Sequence, residues 1–142
     1  MHLKKYSAMI VCCILAILVS ACQPAPPVVG REIVTDKGTY HVVSVPELQS
    51  MLTDKDFTMV NVHIPWQGDI AQTDLHLAYD QIIEEQDKLP SDKDEKILVY
   101  CLTSGMAKVA VKSLLDAGYT NLWMLDGGTM AWEEANLPLI KE

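Results

Sequence analysis

Cys101 is the residue with the clearest chemical capacity. It follows the apolar run Ile97 to Tyr100 and precedes a short loop, Leu102-Thr103-Ser104-Gly105, with Met106 opening an amphipathic stretch to Ala117. The order is strand, tight loop, helix. In an open parallel sheet, ligands collect at the carboxyl ends of the strands, which is where this cysteine stands. Small residues and a glycine let the loop curl until several backbone N–H groups face one point, and the helix start adds about half a positive charge. Such a nest can hold a thiolate, a persulfide or an oxyanion, so Cys101 is expected to be accessible and thiolate-prone. The plainer alternative is a small apolar residue ending a core strand, as free cysteines commonly are. No hydrogen-bonding base lies within the motif, so a Cys-His protease mechanism has no support from local spacing.

The other cysteines sharpen this reading. They are Cys12, Cys13 and Cys22, all in an N-terminal segment unlike the rest of the chain. Lys4 and Lys5 precede a polar-poor run, Ser7 to Ser20, and Val19-Ser20-Ala21-Cys22 puts small residues just before the cysteine. A bilayer span needs roughly 20 apolar residues, so this run reads instead as the apolar part of a signal peptide. Its ending resembles a bacterial lipobox, which implies cleavage after residue 21 and acylation of Cys22. The expected organisation is a signal peptide over 1–21, a Pro-rich tether over 22–30 and one α/β domain over 31–142. An uncleaved helix or an ordinary secretory signal is the alternative. After processing Cys101 is the sole thiol, which excludes an intramolecular disulfide although the envelope permits them.

Charge narrows the partners. Nine basic and 19 acidic residues follow Cys22, a formal charge of −10 for that part of the chain. This argues against binding nucleic acid through phosphates and against adhesion to anionic lipid by charge alone. Membrane attachment is therefore expected through the lipid anchor. With Gln23 after Cys22, an outer-membrane home facing the periplasm is favoured where two membranes are present.

The elements that must position Cys101 are legible in outline. Glu32–Thr35 and Thr39–Val43 flank Asp36-Lys37-Gly38 as a hairpin, and Ser44 with Glu47 makes a capping box for a helix from about Val45 to Leu52. Phe57–Val62, Lys96–Tyr100 and Asn121–Leu125 are apolar at successive positions, as in parallel strands covered on both faces. Asp74–Leu77 is a short further strand; Tyr79–Lys88, Met106–Ala117 (closed by Gly118) and Met130–Ala135 are expected helices. The fold class is α/β, a central, mainly parallel sheet with helices on both faces.

Segments of this sequence resemble the rhodanese (sulfurtransferase) family over about Val42 to Ile140. Val99-Tyr100-Cys101 and its loop resemble the family's active-site segment, and Leu125-Asp126-Gly127-Gly128-Thr129-Met130-Ala131-Trp132 with Leu137-Pro138 resembles its ending. Val60-Asn61-Val62-His63 falls where an Asp-Val-Arg strand end is usual, and Gly68-Asp69-Ile70 resembles a Gly-His-Ile turn. The resemblance implies a Cys101 nucleophile that takes sulfur from a small donor, becomes a persulfide and passes the sulfur to a thiol or protein acceptor. The loop Leu102, Thr103, Ser104, Gly105 and Met106 would bind the substrate, His63, Trp66 and Lys108 would border the pocket, and no cofactor or metal is called for. Met106 stands where thiosulfate-using members often carry Arg, so donor recognition differs and weak thiosulfate use is expected. Without a guanidinium at the loop's end, a cysteine phosphatase is disfavoured. The rival reading is a binding module of the same fold that docks an envelope partner without turnover. His41, His63 and His76 match no common zinc spacing. Trp66, Trp123 and Trp132 read as packing residues, with Trp66 placed to wall the site.

Overall fold

The structure, a computed structural model, describes residues 30–141. The expected signal peptide, Cys22 and all but the last residue of the tether lie outside the described residues.

The chain opens with a hairpin, β1 (Arg31–Thr35) and β2 (Gly38–Val43), followed by α1 (Val45–Thr53). Then come β3 (Thr58–Asn61), β4 (Leu75–His76), β5 (Ile97–Tyr100), α2 (Gly105–Asp116), β6 (Leu122–Leu125) and α3 (Gly128–Glu134). The six strands form one sheet in the order β1-β2-β6-β5-β3-β4. Only β1–β2 pairs antiparallel; every other neighbouring pair is parallel.

Strand β5 lies mid-sheet and all four of its residues are buried, which is why its sequence is apolar without alternation. Side-chain period two then splits it between two cores. Ile97, Val99 and Cys101 belong to a cluster with Ala107, Ala110, Val111 and Leu114 of α2. Leu98 and Tyr100 belong to another, with Val45 and Leu48 of α1 and Trp132 of α3. Helices therefore cover both faces, and each fully buried Leu or Val contributes about 1.5–3 kcal/mol.

The ends of the helices follow local chemistry. Glu47 accepts hydrogen bonds from the Ser44 N–H (2.7 Å) and hydroxyl (2.8 Å), which hold its carboxyl below the usual range. Helix α2 closes with Gly118 N–H donating to Leu115 O and Tyr119 N–H to Leu114 O, a Schellman end.

One expected element is different. Tyr79–Lys88 is not a helix but a series of turns ending in a 3₁₀ turn, Gln86–Lys88. Its bonds are mostly i→i+3: Gln81 to Ala78, Gln86 to Ile83, Lys88 to Glu85. The Tyr79 N–H is already committed to Val62 O, while Ile82 and Leu89 both reach the α2-side core. Asp80 and Glu84 would also stack like charges at i,i+4 in a regular helix.

Candidate active site

Cys101 follows β5 at the carboxyl edge of the sheet and α2 begins four residues later. Its Sγ accepts a hydrogen bond from the Ala107 N–H at 3.4 Å, in the first turn of α2. The helix dipole thus points its positive end at sulfur. Among the described residues, none of the N–H groups from Leu102 to Met106 donates to an acceptor within the protein. Five consecutive donors are left for a ligand or solvent at this loop.

The loop is held by the turn after β6. Thr129 N–H donates to Cys101 O (2.9 Å), Met130 N–H to Leu102 O (2.9 Å), and Gly127 N–H to Ser104 Oγ (3.0 Å). Because C=O and N–H point oppositely across a trans peptide, carbonyls fixed toward α3 turn the Leu102 and Thr103 N–H groups away from it. Gly128 permits this contact. It sits at φ +57°, and a Cβ there would meet Cys101 O at 2.1 Å and Thr103 O at 2.5 Å.

The thiol is not on the surface, contrary to the expectation of accessibility. Cys101 is only 1% exposed, beneath its loop, and Met106 packs against the same core cluster.

A second network shapes the loop after β3. Asn61 Nδ2 donates to Gly68 O (3.1 Å) and Asp69 Oδ1 (2.8 Å), while its Oδ1 accepts from the His63 N–H (3.0 Å). Asp69 also accepts from Tyr100 Oη (3.2 Å) and Trp66 Nε1 (2.9 Å). Buried, Tyr100 has its hydroxyl pKa raised mainly by desolvation, and its oxygen accepts from the Ile70 N–H at 3.1 Å. An antiparallel bridge between Asp69 and Ile140 ties the same turn to the C-terminal segment.

The residues expected around the thiol are placed unequally. Of the loop 102–106, Met106 packs against the core cluster that contains Cys101. His63 lies two residues beyond Asn61, which pairs in register with Tyr100, so it shares the same edge of the sheet. Its ring is buried with neither nitrogen partnered, and burial first, then the neighbouring His76, pushes its pKa down. Trp66 is exposed and bonded to Asp69; no hydrogen bond joins it or the His63 ring to the cysteine loop. Lys108 does not border the loop: it lines a separate cleft with Thr35, Asp36, Tyr40, Lys112 and Leu115. Two residues along a helix from Met106, it faces about 200° away. Trp132 is buried and Trp123 stacks on His41 with ring centres 4.4 Å apart, both as packing residues.

With this geometry in view, a model of the rhodanese-like domain matches residues 46–135. The chain belongs to the rhodanese-like family. It is 25% identical over 99 residues to the thiosulfate sulfurtransferase GlpE of Vibrio cholerae, covering 68% of this chain and 92% of that protein. It is 26% identical over 115 residues to the tRNA uridine(34) hydroxylase of Erwinia tasmaniensis, covering 74% of this chain but 32% of that one. Among solved structures, a rhodanese-related protein from Thermoplasma volcanium superposes with TM-score 0.60 at 23% identity, over 71% of this chain and 98% of that one. The NAD-dependent persulfide reductase of A. fulgidus gives TM-score 0.55 at 24% identity, over 66% of this chain and 16% of that one. Both structural likenesses concern the fold.

Within the rhodanese-like domain, sequence reasoning gave Asn61 too little. Noted only as standing where an Asp is usual, it is a buried buckle for the loop 63–69. Its signal was a polar residue inside the apolar run Phe57–Val62, which must be hydrogen-bonded to be there. Ser104 and the turn amides of Thr129 and Met130 left no such signal, since main-chain contacts between distant loops carry no side-chain signature.

Proposed function

We propose that this chain is a cell-envelope sulfurtransferase or persulfide carrier with Cys101 as nucleophile, held at the membrane by acyl chains on Cys22. The carrying observation is the Cys101 Sγ accepting from the Ala107 N–H at the start of α2, next to a loop whose five consecutive N–H groups have no acceptor among the described residues. The Cys101 thiolate attacks the outer sulfur of a donor R–S–S⁻. The donor's S–S bond breaks, R–S⁻ leaves, and Cys101 carries the persulfide. An acceptor thiolate then attacks that outer sulfur and Cys101 departs as thiolate, so no external oxidant or reductant is needed. The amides stabilise the negative charge on the terminal sulfur.

Donor range follows from Met106. Thiosulfate is a dianion, and amides with one helix end offer only partial positive charge. An Arg there would add a full charge and a bidentate fork, whereas Met106 presents an apolar, polarizable wall suited to a low-charge persulfide. The similarity to a thiosulfate sulfurtransferase supports the reaction class, and Met106 argues for another donor.

The test is intact mass after exposure to polysulfide. A gain of one sulfur atom on the native chain, absent in Cys101→Ser, is expected, together with Met106→Arg raising turnover of thiosulfate selectively. No sulfur uptake on Cys101 overturns the reading. It would favour a binding module, the second reading, which the burial of the thiol supports.

A further inference from the structure

The hairpin β1–β2 precedes the family match, which begins at residue 46. Its turn lies over the C-terminal half of α2. Lys37 Nζ pairs with Asp116 Oδ1 at 3.3 Å, and Gly38 approaches Leu115 so closely that a Cβ would meet its Cδ2 at 3.2 Å. Gly38 has φ +143°, which other residues rarely adopt. The turn is closed by Thr35 Oγ1, which donates to Gly38 O (2.7 Å) and accepts from the Lys37 N–H (3.2 Å).

Between this turn and α2 is a half-enclosed cleft of about 250 Å³, lined by Thr35, Asp36, Tyr40, Lys108, Lys112 and Leu115. Lys108 and Lys112 stand at i,i+4 and so share one face of the helix. Among the described residues neither lysine is in an ion pair or a side-chain hydrogen bond, whereas Lys37, Lys55, Lys88, Lys96 and Lys141 each have an acidic partner and Lys93 donates to Ala117 O. Asp36 lines the same cleft from the hairpin side, and Leu115 supplies an apolar wall.

Two unpaired ammonium groups and one carboxylate on opposite walls make a dipolar site. Its volume lies below the roughly 300–1,000 Å³ of pockets for drug-sized ligands, which limits it to a small molecule. We propose that this cleft binds a small amino-acid-type anion, its two carboxylates on Lys108 and Lys112 and its ammonium group facing Asp36.

Calorimetry and amide NMR on the full-length chain, with L-glutamate, succinate and L-glutamine as probes, test this. L-Glutamate shifts the amides of residues 35–40 and 108–115 saturably. It binds about threefold tighter than succinate, which lacks the ammonium group, or glutamine, which lacks one carboxylate. Lys108→Gln and Lys112→Gln each weaken it about threefold and together about tenfold. Asp36→Asn removes the preference over succinate, and added salt weakens all binding. Absence of a saturable shift at the cleft overturns the proposal, as does glutamate binding unchanged in the double lysine variant. Equal affinity for glutamate and succinate in the native chain overturns the assignment to Asp36. Sulfur uptake by Cys101 is not involved in any readout.

Discussion

His63 is a polar ring in an apolar setting: buried, with neither nitrogen partnered and a second imidazole, His76, bonding its carbonyl oxygen at 2.7 Å. Burial and His76 both disfavour its protonation, so its folded pKa lies below the unfolded value of about 6.5. Between those two values the unfolded chain binds more protons than the folded one, so stability rises with pH across that window. It is fully present above about 6.5 and is lost as pH falls through the folded value. The expected outcome is an unfolding midpoint that drops on acidification from about pH 7 to 5.5, and a flatter profile in His63→Phe. Carboxylates such as Glu47 and Asp56, whose pKa values are lowered by hydrogen bonds, lose their contributions only at still lower pH. An identical drop in His63→Phe and native chain would assign the titration to another group.

At the scale of elements, the position of Cys101 depends on two turns that meet, not on its own loop alone. Gly128→Ala tests this. The added methyl has no room against Cys101 O and Thr103 O, and Ala must also hold φ +57°, a strain of order 1–3 kcal/mol before any clash. The expected result is a lower unfolding midpoint together with loss of sulfur uptake by Cys101. A variant of native stability with full uptake would show that the latch does not position the thiol. The Gly-Gly turn itself was plain in the sequence, as were the strands Ile97–Tyr100 and Leu122–Leu125, because burial on both faces demands unbroken apolar runs. Its contact with the cysteine loop was not, since Cys101 and Thr129 meet through backbone atoms. Tyr79–Lys88 was misread for a related reason. The spacing of Tyr79, Ile82, Ile83 and Leu89 fits a helical stripe, yet those side chains reach the core from turns whose course is fixed by the Tyr79–Val62 hydrogen bond. The burial of Cys101 matches the plainer alternative, a small apolar residue ending a core strand, which the sequence left open beside an accessible thiol.

For the whole molecule, the proposed anchor must hold an acidic domain at a membrane. The part after Cys22 carries a formal charge of −10, so anionic headgroups repel it, and among the described residues no helix is long and apolar enough to cross a bilayer. In the proposed arrangement attachment comes from acyl chains on Cys22. A single acyl chain gives marginal, reversible binding while two or three anchor stably. Gln23–Gly30 spans eight residues, at most roughly 28 Å when fully extended, so β1 and the sheet it edges would stay close to the bilayer surface. Acceptors of the persulfide sulfur would then be met at that surface. The expected mass of the native chain is that of residues 22–142 plus diacylglyceryl, with or without an amide-linked chain. Cys22→Ser should carry no acyl mass and take up sulfur on Cys101 as the native chain does. The Ser hydroxyl cannot form the thioether, so the diacylglyceryl group has no attachment point at position 22. A native chain found unmodified at its full 142 residues, or a Cys22→Ser chain that still carries acyl mass, would overturn the anchor while leaving the chemistry of Cys101 untouched.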